Sequence, residues 1–492
     1  MKNMKRIKSY LLIGLSAVLM FSCSEEYLDT APTDAVAKDV IFETTQGADV
    51  ALNGIYRWFY YYGITDGGHD DYGYRALGLK SDLMGHDMKV FSRGYGWFIS
   101  DYNYTERGYI DEGSTADKSY NLSYDVIYNA NVILEEADDL EGSQSERDFV
   151  KAQAYALRAF AYFSLAQFHA PTYVGNENAP CVPLKLESSE QHESIATVGE
   201  VYNAIVSDLD NAISLFQGST ESRPAKSYID LSVAQGLRAR VALVMQDWNT
   251  AISNAAAARD GYPLMDATAY TSGFRDVTNG EWIWGMDINA EQATIYASFF
   301  SHMDPIKFSY ASLGLQKQMP QYLFDTIPDT DVRKQVVVAP GDTIIAQTGD
   351  MVPTYSVIKF RAGSTWEADY VMMRSSEMYL IEAEAAAESD QDAVAQTALS
   401  ALLDARDPGS STSNTGQALI DEIRLQRRLE LWGEGFGLFD IKRWKIPLDR
   451  RDHDPSLCQV TDLPASSPLF NLRVPQREID ANDEITEANQ ID

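Results

Sequence analysis

The chain has 492 residues, of which 45% are apolar and 11% aromatic; this composition can form a large packed core and excludes an intrinsically disordered protein. By length it accommodates one large domain or roughly two to three smaller ones. Its formal charge of −32 repels nucleic-acid phosphates and anionic lipid surfaces, so nucleic acid is excluded and neutral or cationic partners are expected.

The first 22 residues are typical of a secretory signal peptide. A basic stretch without acidic residues precedes an apolar run at 10–21, which is too short to span a bilayer. The small Ser22 then stands directly before Cys23, and this junction resembles the lipobox of bacterial lipoproteins. It predicts that Cys23 is lipidated and that residues 23–38 form a tether; the alternative is an ordinary signal peptide with an incidental cysteine.

From residue 39 onward, segments with helical periodicity alternate with two long stretches that lack it. Residues 56–112 are crowded with aromatic residues and glycine. Residues 262–370 mix short strand-like runs with loops. Because long structured loops on a rigid scaffold usually carry function, the sequence predicts that these two insertions gather on the surface of a helical scaffold.

The remaining segments have apolar residues at helical spacing and predict pairs of antiparallel helices. One predicted helix carries Ala152, Ala156, Ala159, Phe163 and Ala166 on a single face, and these mostly small side chains imply a closely packed neighbour. Similar helical segments are 124–140, 200–216, 232–248 and 378–406.

One of these pairs has the spacing of a tetratricopeptide repeat. Ala239, Ala251, Ala258 and Pro263 stand at the offsets where that repeat places its small residues and its proline. Small residues at these positions let two helices cross closely. Any alanine-rich helical hairpin matches part of the pattern and is the alternative. Either way, the predicted fold class is mainly α.

The segment 420–444, IDEIRLQRRLELWGEGFGLFDIKRW, begins with helical apolar spacing, and Gly433 and Gly435 are predicted to end the helix. Taken alone, it indicates a solvated, salt-bridged helix followed by a turn. The order of its residues, however, resembles the C-terminal signature of the SusD/RagB family. The matching pairs are Arg427-Arg428, Glu430-Leu431, Glu434-Gly435, Asp440-Ile441 and Arg443-Trp444.

Two positions depart from that signature and three other segments agree with the family. Gln426 stands where the family usually has Glu, and Gly437 where it usually has Arg; each is expected to cost a local ion pair. Residues 151–170, 371–387 and 472–485 resemble family segments in the same order along the chain. The resemblance therefore treats residues 39–492 as a single SusD-like domain.

The resemblance implies a function. SusD-like proteins are outer-membrane lipoproteins of Bacteroidetes whose tetratricopeptide-like helix pairs support a loop-rich ligand face. Each caps a SusC-type TonB-dependent transporter, binds a nutrient, most often a glycan, and catalyses nothing. The acidic residues 24–26 resemble the signal that sends such lipoproteins to the cell surface. Two alternatives remain open: a peptide-binding lid like RagB, and a glycoside hydrolase, whose pair of carboxylates across a cleft a sequence cannot reveal.

For a glycan ligand, the first insertion offers the strongest candidates. Aromatic rings stack on the apolar C–H faces of a sugar, while carboxylate and amide groups bind its hydroxyls. The glycine-flanked segment 95–104, YGWFISDYNY, supplies both kinds of group; the alternative is that its rings pack beneath a long loop. The candidate ligand residues are Tyr95, Trp97, Asp101, Tyr102 and Tyr104, with Tyr296 and Trp366 from the second insertion.

No cofactor is expected. His69, His86 and Asp87 could be imagined as metal ligands, but the six histidines of the chain are scattered and do not favour a metal site. The sequence leaves open a structural calcium ion, and it leaves open a disulfide between Cys181 and Cys458.

Overall fold

A computed structural model describes residues 38–63, 67–105, 113–189 and 191–485. The predicted signal peptide, the lipidation at Cys23 and the tether up to residue 37 lie outside the described residues. Within the described ranges, none of the helices combines the length and the apolar composition that crossing a lipid bilayer requires.

The scaffold is helical, as the periodicity predicts, and the helices pack as successive antiparallel neighbours. The helices are α1 (Lys38–Ile41), α2 (Thr45–Arg57), α3 (Tyr74–Met84), α4 (Ile99–Tyr102), α5 (Thr115–Glu136), α6 (Gln144–His169), α7 (Val198–Gly218), α8 (Leu231–Met245), α9 (Trp248–Ala258), α10 (Ala267–Tyr270), α11 (Phe299–Met303), α12 (Gln321–Phe324), α13 (Ser375–Glu388), α14 (Asp392–Arg406), α15 (Gly416–Glu430), α16 (Gly437–Trp444) and α17 (Gln476–Ala481).

Capping residues in the sequence mark where two of the long helices begin. Ser143 and Glu146 form a capping box at the beginning of α6, and Thr197 and Glu200 form another at the beginning of α7. The helix α6 lies between α5 and α7, so its alanine-rich face and its opposite face are both buried. This confirms the closely packed neighbour that the small residues predict.

The helical segment 378–406 is interrupted in the structure. Its helices α13 and α14 form an antiparallel pair, and residues 389–391 turn the chain between them. Asp390 adopts a left-handed backbone conformation there, with φ of 59°. An aspartate tolerates this conformation better than most residues, so a short turn fits between two segments that share one apolar spacing.

The strands are short and pair antiparallel two by two, and they bring distant parts of the chain together. The pair β4 and β6 joins the second insertion to the start of α13, and β1 with β5 joins the two insertions to each other. The strands are β1 (Lys89–Val90), β2 (Pro180–Pro183), β3 (Ile195–Thr197), β4 (Trp282–Met286), β5 (Lys317–Gln318), β6 (Tyr370–Arg374), β7 (Leu448–Asp449) and β8 (Asp462–Leu463).

The C-terminal signature supplies two acids to a buried ionic cluster, which we call the charge framework: Glu281, Arg374, Arg406, Glu430 and Glu434. The Arg374 guanidinium donates to all three carboxylates, at 2.6 Å to Glu281, 2.5 Å to Glu430 and 2.7 Å to Glu434. Arg406 donates to Glu281 and Glu430, each at 2.9 Å. No side chain of the framework is more than 5% exposed. The segment is a salt-bridged helix followed by a turn, as its residues indicate, but Glu430 and Glu434 are buried and not solvated.

Pairing keeps the framework carboxylates ionised in spite of their burial. Burial by itself raises the pKa of Glu434, but the Arg374 guanidinium and the Lys359 ammonium lower it to about 2. Glu430 shows the same balance, since Arg406 and Arg374 hold its pKa far below the ordinary value against the effect of burial. Each charged side chain therefore depends on its partners, and removing one of them leaves the others unpaired in the interior.

The glycines of the signature allow a close approach to α3. The Asp82 carboxylate accepts hydrogen bonds from the backbone N–H groups of Gly435, at 2.8 Å, and Gly437, at 3.0 Å. A Cβ atom at Gly437 would stand 3.0 Å from the Cα of Asp82, which is tighter than packed atoms normally allow. The glycine at position 437 is thus matched to this contact between α3 and α16.

Cys181 and Cys458 are both buried and are separate free thiols, which decides the disulfide question left open by the sequence. Burial raises the pKa of the Cys181 thiol to about 12, so this thiol stays protonated and packs as a small apolar side chain.

Candidate functional site

The structure brings the two insertions together on one surface. The strands β1 and β5 pair Lys89 with Gln318 and Val90 with Lys317. Beyond this pairing, the N–H of Phe91 donates to the carbonyl of Gln316 at 3.0 Å. The chain from 91 to 98 therefore lies along the segment that precedes β5.

Backbone conformation explains why Tyr95 and Trp97 reach the surface. Gly94 and Gly96 adopt left-handed conformations with φ of 47° and 89°, and Phe98 follows with φ of 63°. Glycine adopts this conformation at little cost, whereas for phenylalanine it is strained and must be held by surrounding packing. The alternating turns leave Tyr95 66% exposed and Trp97 partly exposed, while Phe98 points into the core.

Five rings from both insertions form a cluster that we call the aromatic platform: His69, Tyr95, Trp97, Tyr296 and Tyr310. The His69 ring stacks on Trp97, with centroids 5.4 Å apart, and lies almost parallel to Tyr296 at 6.0 Å. Tyr310 contacts the other four rings at centroid distances of 5.2 to 6.1 Å. Three predicted ligand residues, Tyr95, Trp97 and Tyr296, thus lie together.

Hydrogen bonds hold the rings of the platform in place. The Nδ1 of His69 and the hydroxyl of Tyr310 are 2.6 Å apart. Beneath them, the Nε2 of His302 donates to the backbone carbonyl of His69 at 2.9 Å, and the His302 ring stacks on Tyr310 at 5.1 Å. Burial lowers the pKa of His302 to about 3, so this ring is neutral and supports the platform without adding charge.

A buried ionic cluster fixes the chain that carries His69. The neighbouring Asp70 accepts from the ammonium groups of Lys80 and Lys118, each at 3.0 Å. Burial favours the neutral acid, but the two ammonium groups outweigh it and hold the pKa of Asp70 well below its ordinary value. The ion pairs of Asp70 therefore fix the backbone next to His69, and the His69 ring is held in position before a ligand binds.

The prediction that Asp101, Tyr102 and Tyr104 bind a ligand is wrong, because all three side chains are at most 4% exposed. Asp101 accepts from Lys80 and from the hydroxyl of Thr115, so its carboxylate belongs to the ionic cluster beneath the platform. The short helix α4 turns Asp101 and Tyr102 inward, and Tyr104 follows it in a left-handed conformation with φ of 58°. For them the alternative, packing beneath the loop, is the correct interpretation.

The two buried tyrosines link this loop to the core. Tyr102 donates its hydroxyl proton to Nδ1 of His453, at 2.7 Å, because Nε2 of that ring donates to the carbonyl of His86. The Tyr104 hydroxyl donates to the carbonyl of Met84. Both side chains stabilise the loop from within and are out of reach of a ligand on its surface.

Trp366 lies apart from the platform. Its ring stands against the Lys307 ammonium, 4.3 Å from the centroid, and Lys307 also donates to the carbonyl of Thr365. Lys307 precedes Tyr310 by only three residues, but no ring contact joins Trp366 to the five rings of the platform.

His69 and Tyr310 are the platform residues that sequence reasoning missed. The sequence suggests His69 only as a metal ligand, and Tyr310 stands in a stretch with no motif. Their role arises from the pairing of the two insertions, which brings together two residues 241 positions apart, and a single sequence carries no signal for such a contact. Within the described ranges, moreover, His, Cys, Asp and Glu side chains do not gather in the groups of three or more that a metal site needs.

The platform presents aromatic surface, and two carboxylates of the ionic cluster beneath it are held in ion pairs. The exposed faces of Tyr95 and Tyr296 offer apolar contact, and their hydroxyls make no hydrogen bond within the described ranges. Asp70 and Asp101 are both paired with Lys80, at 3.0 and 3.3 Å, an arrangement typical of carboxylates with a structural role.

Two family models match the chain. One, described as "Starch-binding associating with outer membrane", matches residues 74–243, and the other, described as the SusD family, matches residues 350–490. The match to the first model begins with α3 and includes the N-terminal helix pairs. The match to the second model includes the C-terminal signature and also Arg374 and Arg406 of the charge framework.

Individual proteins agree with these models. The crystal structure of a SusD-like carbohydrate binding protein from Bacteroides vulgatus superposes with a TM-score of 0.80 and 28% identity, covering 91% of this chain and 98% of that one. A SusD-like protein of Bacteroides ovatus is 25% identical over 49% of this chain, and SusD-like protein P2 of Formosa agariphila is 23% identical over 42%. The chain spans only 40% and 38% of the lengths of these two relatives.

Proposed function

We propose, from the premise that this chain belongs to the SusD/RagB family, that it binds an oligo- or polysaccharide without cleaving it and delivers it to a SusC-like TonB-dependent transporter. We place it at the outer membrane, anchored by lipid at Cys23 and exposed on the cell surface. The description of the first family model and the carbohydrate-binding relative support this assignment.

The aromatic platform is the observation that carries the proposal. Its rings come from both insertions, are fixed by hydrogen bonds and buried ion pairs, and leave Tyr95 and Tyr296 66% and 39% exposed. Large exposed aromatic groups cost free energy in water unless a ligand covers them. A sugar ring, with apolar faces and polar edges, has the chemistry to cover them and to bond their hydroxyls.

Affinity measurements with a panel of polysaccharides test the binding function. Wild-type protein should bind at least one glycan, and Trp97→Ala should weaken that binding at least about tenfold, since a stacked aromatic contributes about 1–3 kcal/mol in the related case of base stacking. Tyr128→Ala is the matched control, because Tyr128 is 53% exposed on α5 and outside the platform. The melting temperature of Trp97→Ala should change little.

Three results would count against the proposal. Tight binding to peptides together with no binding to any glycan favours the peptide-binding alternative. Release of reducing sugar from a bound glycan favours a hydrolase. A large fall in the melting temperature of Trp97→Ala, with glycan affinity retained, means that Trp97 serves the core.

The anchor has its own test. We expect Cys23→Ser to abolish labelling by a radioactive fatty acid and to release the protein from the membrane fraction, because the thiol is the proposed site of attachment. A substituted protein that stays in the membrane fraction would refute the anchor while leaving glycan binding untouched.

A further inference from the structure

A second concave site lies away from the aromatic platform, at the far end of α6. It is a surface cavity of about 450 Å³, within the size range of small-ligand sites. Three segments form it: the loop 171–176 after α6, the C-terminal end of α16, and the turn 465–471. We call it the lysine cavity, because Lys442 and Lys445 line it.

Lys442 brings a buried cation to this cavity. Its ammonium donates to the carbonyls of Gln167 and Ala170, the latter at 2.7 Å, and the residue is 8% exposed. No carboxylate in the described part of the chain forms an ion pair with it. Burial without a counter-charge lowers the pKa of Lys442 to about 7, so an anion in the cavity would stabilise the charged form.

Hydrogen bonds within the described residues account for two of the three donors of this ammonium. An ammonium group has three N–H donors, and the two carbonyls use two of them. Burial makes a charged hydrogen bond from the third donor stronger than it would be in water.

Lys445 adds a second cation at the mouth of the cavity. It is exposed, it ends α16 in a left-handed conformation with φ of 52°, and its ammonium donates to the carbonyl of Val174 at 3.0 Å. Glu177 lies nearby, but its carboxylate accepts from the N–H of Gly175 at 3.0 Å. That hydrogen bond, with a smaller effect of Lys445, lowers the pKa of Glu177.

The lining contrasts with the rest of this acidic chain. Two lysines and no aspartate or glutamate are among the described residues that line the cavity, while the whole chain carries a formal charge of −32. Thr172 and Ser466 add hydroxyl groups, and Pro468 and Phe470 add apolar surface. A ligand that combines a negative charge, hydroxyl groups and an apolar face matches each of these features.

We propose that the lysine cavity is a second ligand site and binds an acidic saccharide unit, such as a hexuronate, through its carboxylate. The carboxylate lies between the two ammonium groups, and the sugar hydroxyls face Thr172 and Ser466. This site goes beyond the proposed function of the platform, and the binding of an anion there does not require that function to be correct.

Ligand-observed NMR titration with D-glucuronate and with D-glucose, on the full chain, tests the proposal. We expect glucuronate to bind more tightly than glucose and the double variant Lys442→Met/Lys445→Asn to weaken it at least about tenfold, the effect of losing charged hydrogen bonds. The single variant Lys445→Asn should weaken it severalfold; it keeps a residue that tolerates the left-handed conformation, so it tests the site if the double variant does not fold.

Two variants serve as controls for glucuronate binding. Lys151→Gln also removes one positive charge, but it lies on α6 roughly 27 Å along the helix axis from the end that borders the cavity. Trp97→Ala removes the platform ring that stacks on His69. Both should bind glucuronate as the wild type does.

Three outcomes would overturn the proposal. Unchanged glucuronate affinity in a folded Lys445→Asn protein means that glucuronate does not bind in the lysine cavity. Loss of glucuronate binding in Trp97→Ala assigns the ligand to the platform instead. Binding of inorganic sulfate as tight as that of glucuronate means that the cavity recognises a simple anion and no sugar. Failure of the platform to bind any neutral glycan would refute the proposed function but not this site.

Discussion

The charge framework and the aromatic platform differ in burial and in charge. The framework pairs five charged side chains, none more than 5% exposed, and connects α14, α15, the strand β6 and the residue before β4. The platform places rings at the surface, with Tyr95 66% exposed, and needs no charge on its face. One region pairs its charged groups within the protein, and the other leaves aromatic faces exposed, where we propose that a glycan binds.

This difference separates stability from recognition. A change in the framework leaves a buried charge without its partner, so replacing any one of the five residues alone destabilises the fold. A change at the exposed rings alters what the surface can bind and costs the fold little. A scaffold built in this way can carry different ligand surfaces while keeping one architecture.

Breaking the framework should have the largest effect. We expect Glu430→Ala to lower the free energy of unfolding by about 3–5 kcal/mol, because Arg374 and Arg406 would lose a shared partner in the interior. Urea denaturation followed by circular dichroism measures it. Arg451→Ala, which removes an ion pair with an 83% exposed arginine, is the control and should leave the midpoint unchanged. Equal midpoints for Glu430→Ala and wild type would show that the framework does not stabilise the fold.

Acid should weaken the same region. The pKa of Glu434 is about 2 in the folded chain against an ordinary 4.5, so the unfolded chain binds the proton first as the pH falls. The contribution of this carboxylate, on the order of 3 kcal/mol, is complete above about pH 5 and is lost as the pH falls towards 2. Denaturation at several pH values should therefore show the gap between wild type and Glu434→Gln narrowing on acidification. A constant gap from pH 7 to pH 3 would contradict the assignment.

Asp101 sharpens the boundary between the two regions. Because its carboxylate accepts from Lys80 and Thr115 in the interior, Asp101→Asn should cost about 1–3 kcal/mol of stability. Glycan affinity, measured by calorimetry well below the melting temperature, should stay within about twofold of the wild type if the hydrogen-bonded position of the side chain is kept. A loss of affinity comparable to that of Trp97→Ala would return Asp101 to the ligand surface.

The smallest effect is expected from Tyr310→Phe. This change keeps the ring that contacts the rest of the platform and removes only the hydroxyl that meets His69 at 2.6 Å. The loss of one neutral hydrogen bond, about 0.5–1.5 kcal/mol, should loosen His69 and weaken glycan binding about threefold. Tyr322→Phe, another tyrosine outside the platform, is the control. Unchanged affinity in Tyr310→Phe would mean that the rings alone hold the platform.

Much of the scaffold was predictable because helices follow local rules. The alanine face of α6, its capping box and the glycines that end α15 can all be read from neighbouring residues. The candidate site was predictable only in part. Tyr95 and Trp97 are candidates because their aromatic segment is flanked by glycine, and Tyr296 because it stands in a polar stretch. Asp101 belongs to the same segment as Tyr95 but turns inward at α4.

The sequence by itself determined the helical segments, the acidic character and the order of family signatures, since each depends on residues close together in the chain. Only the tertiary structure decided which side chains share a surface or a buried charge. His69 meets Tyr310 across 241 positions, and Arg374 meets Glu430 across 56. Contacts of this kind follow from how the two insertions and the helix pairs close on each other, and burial then decides whether an aromatic or a carboxylate supports the core or faces a ligand.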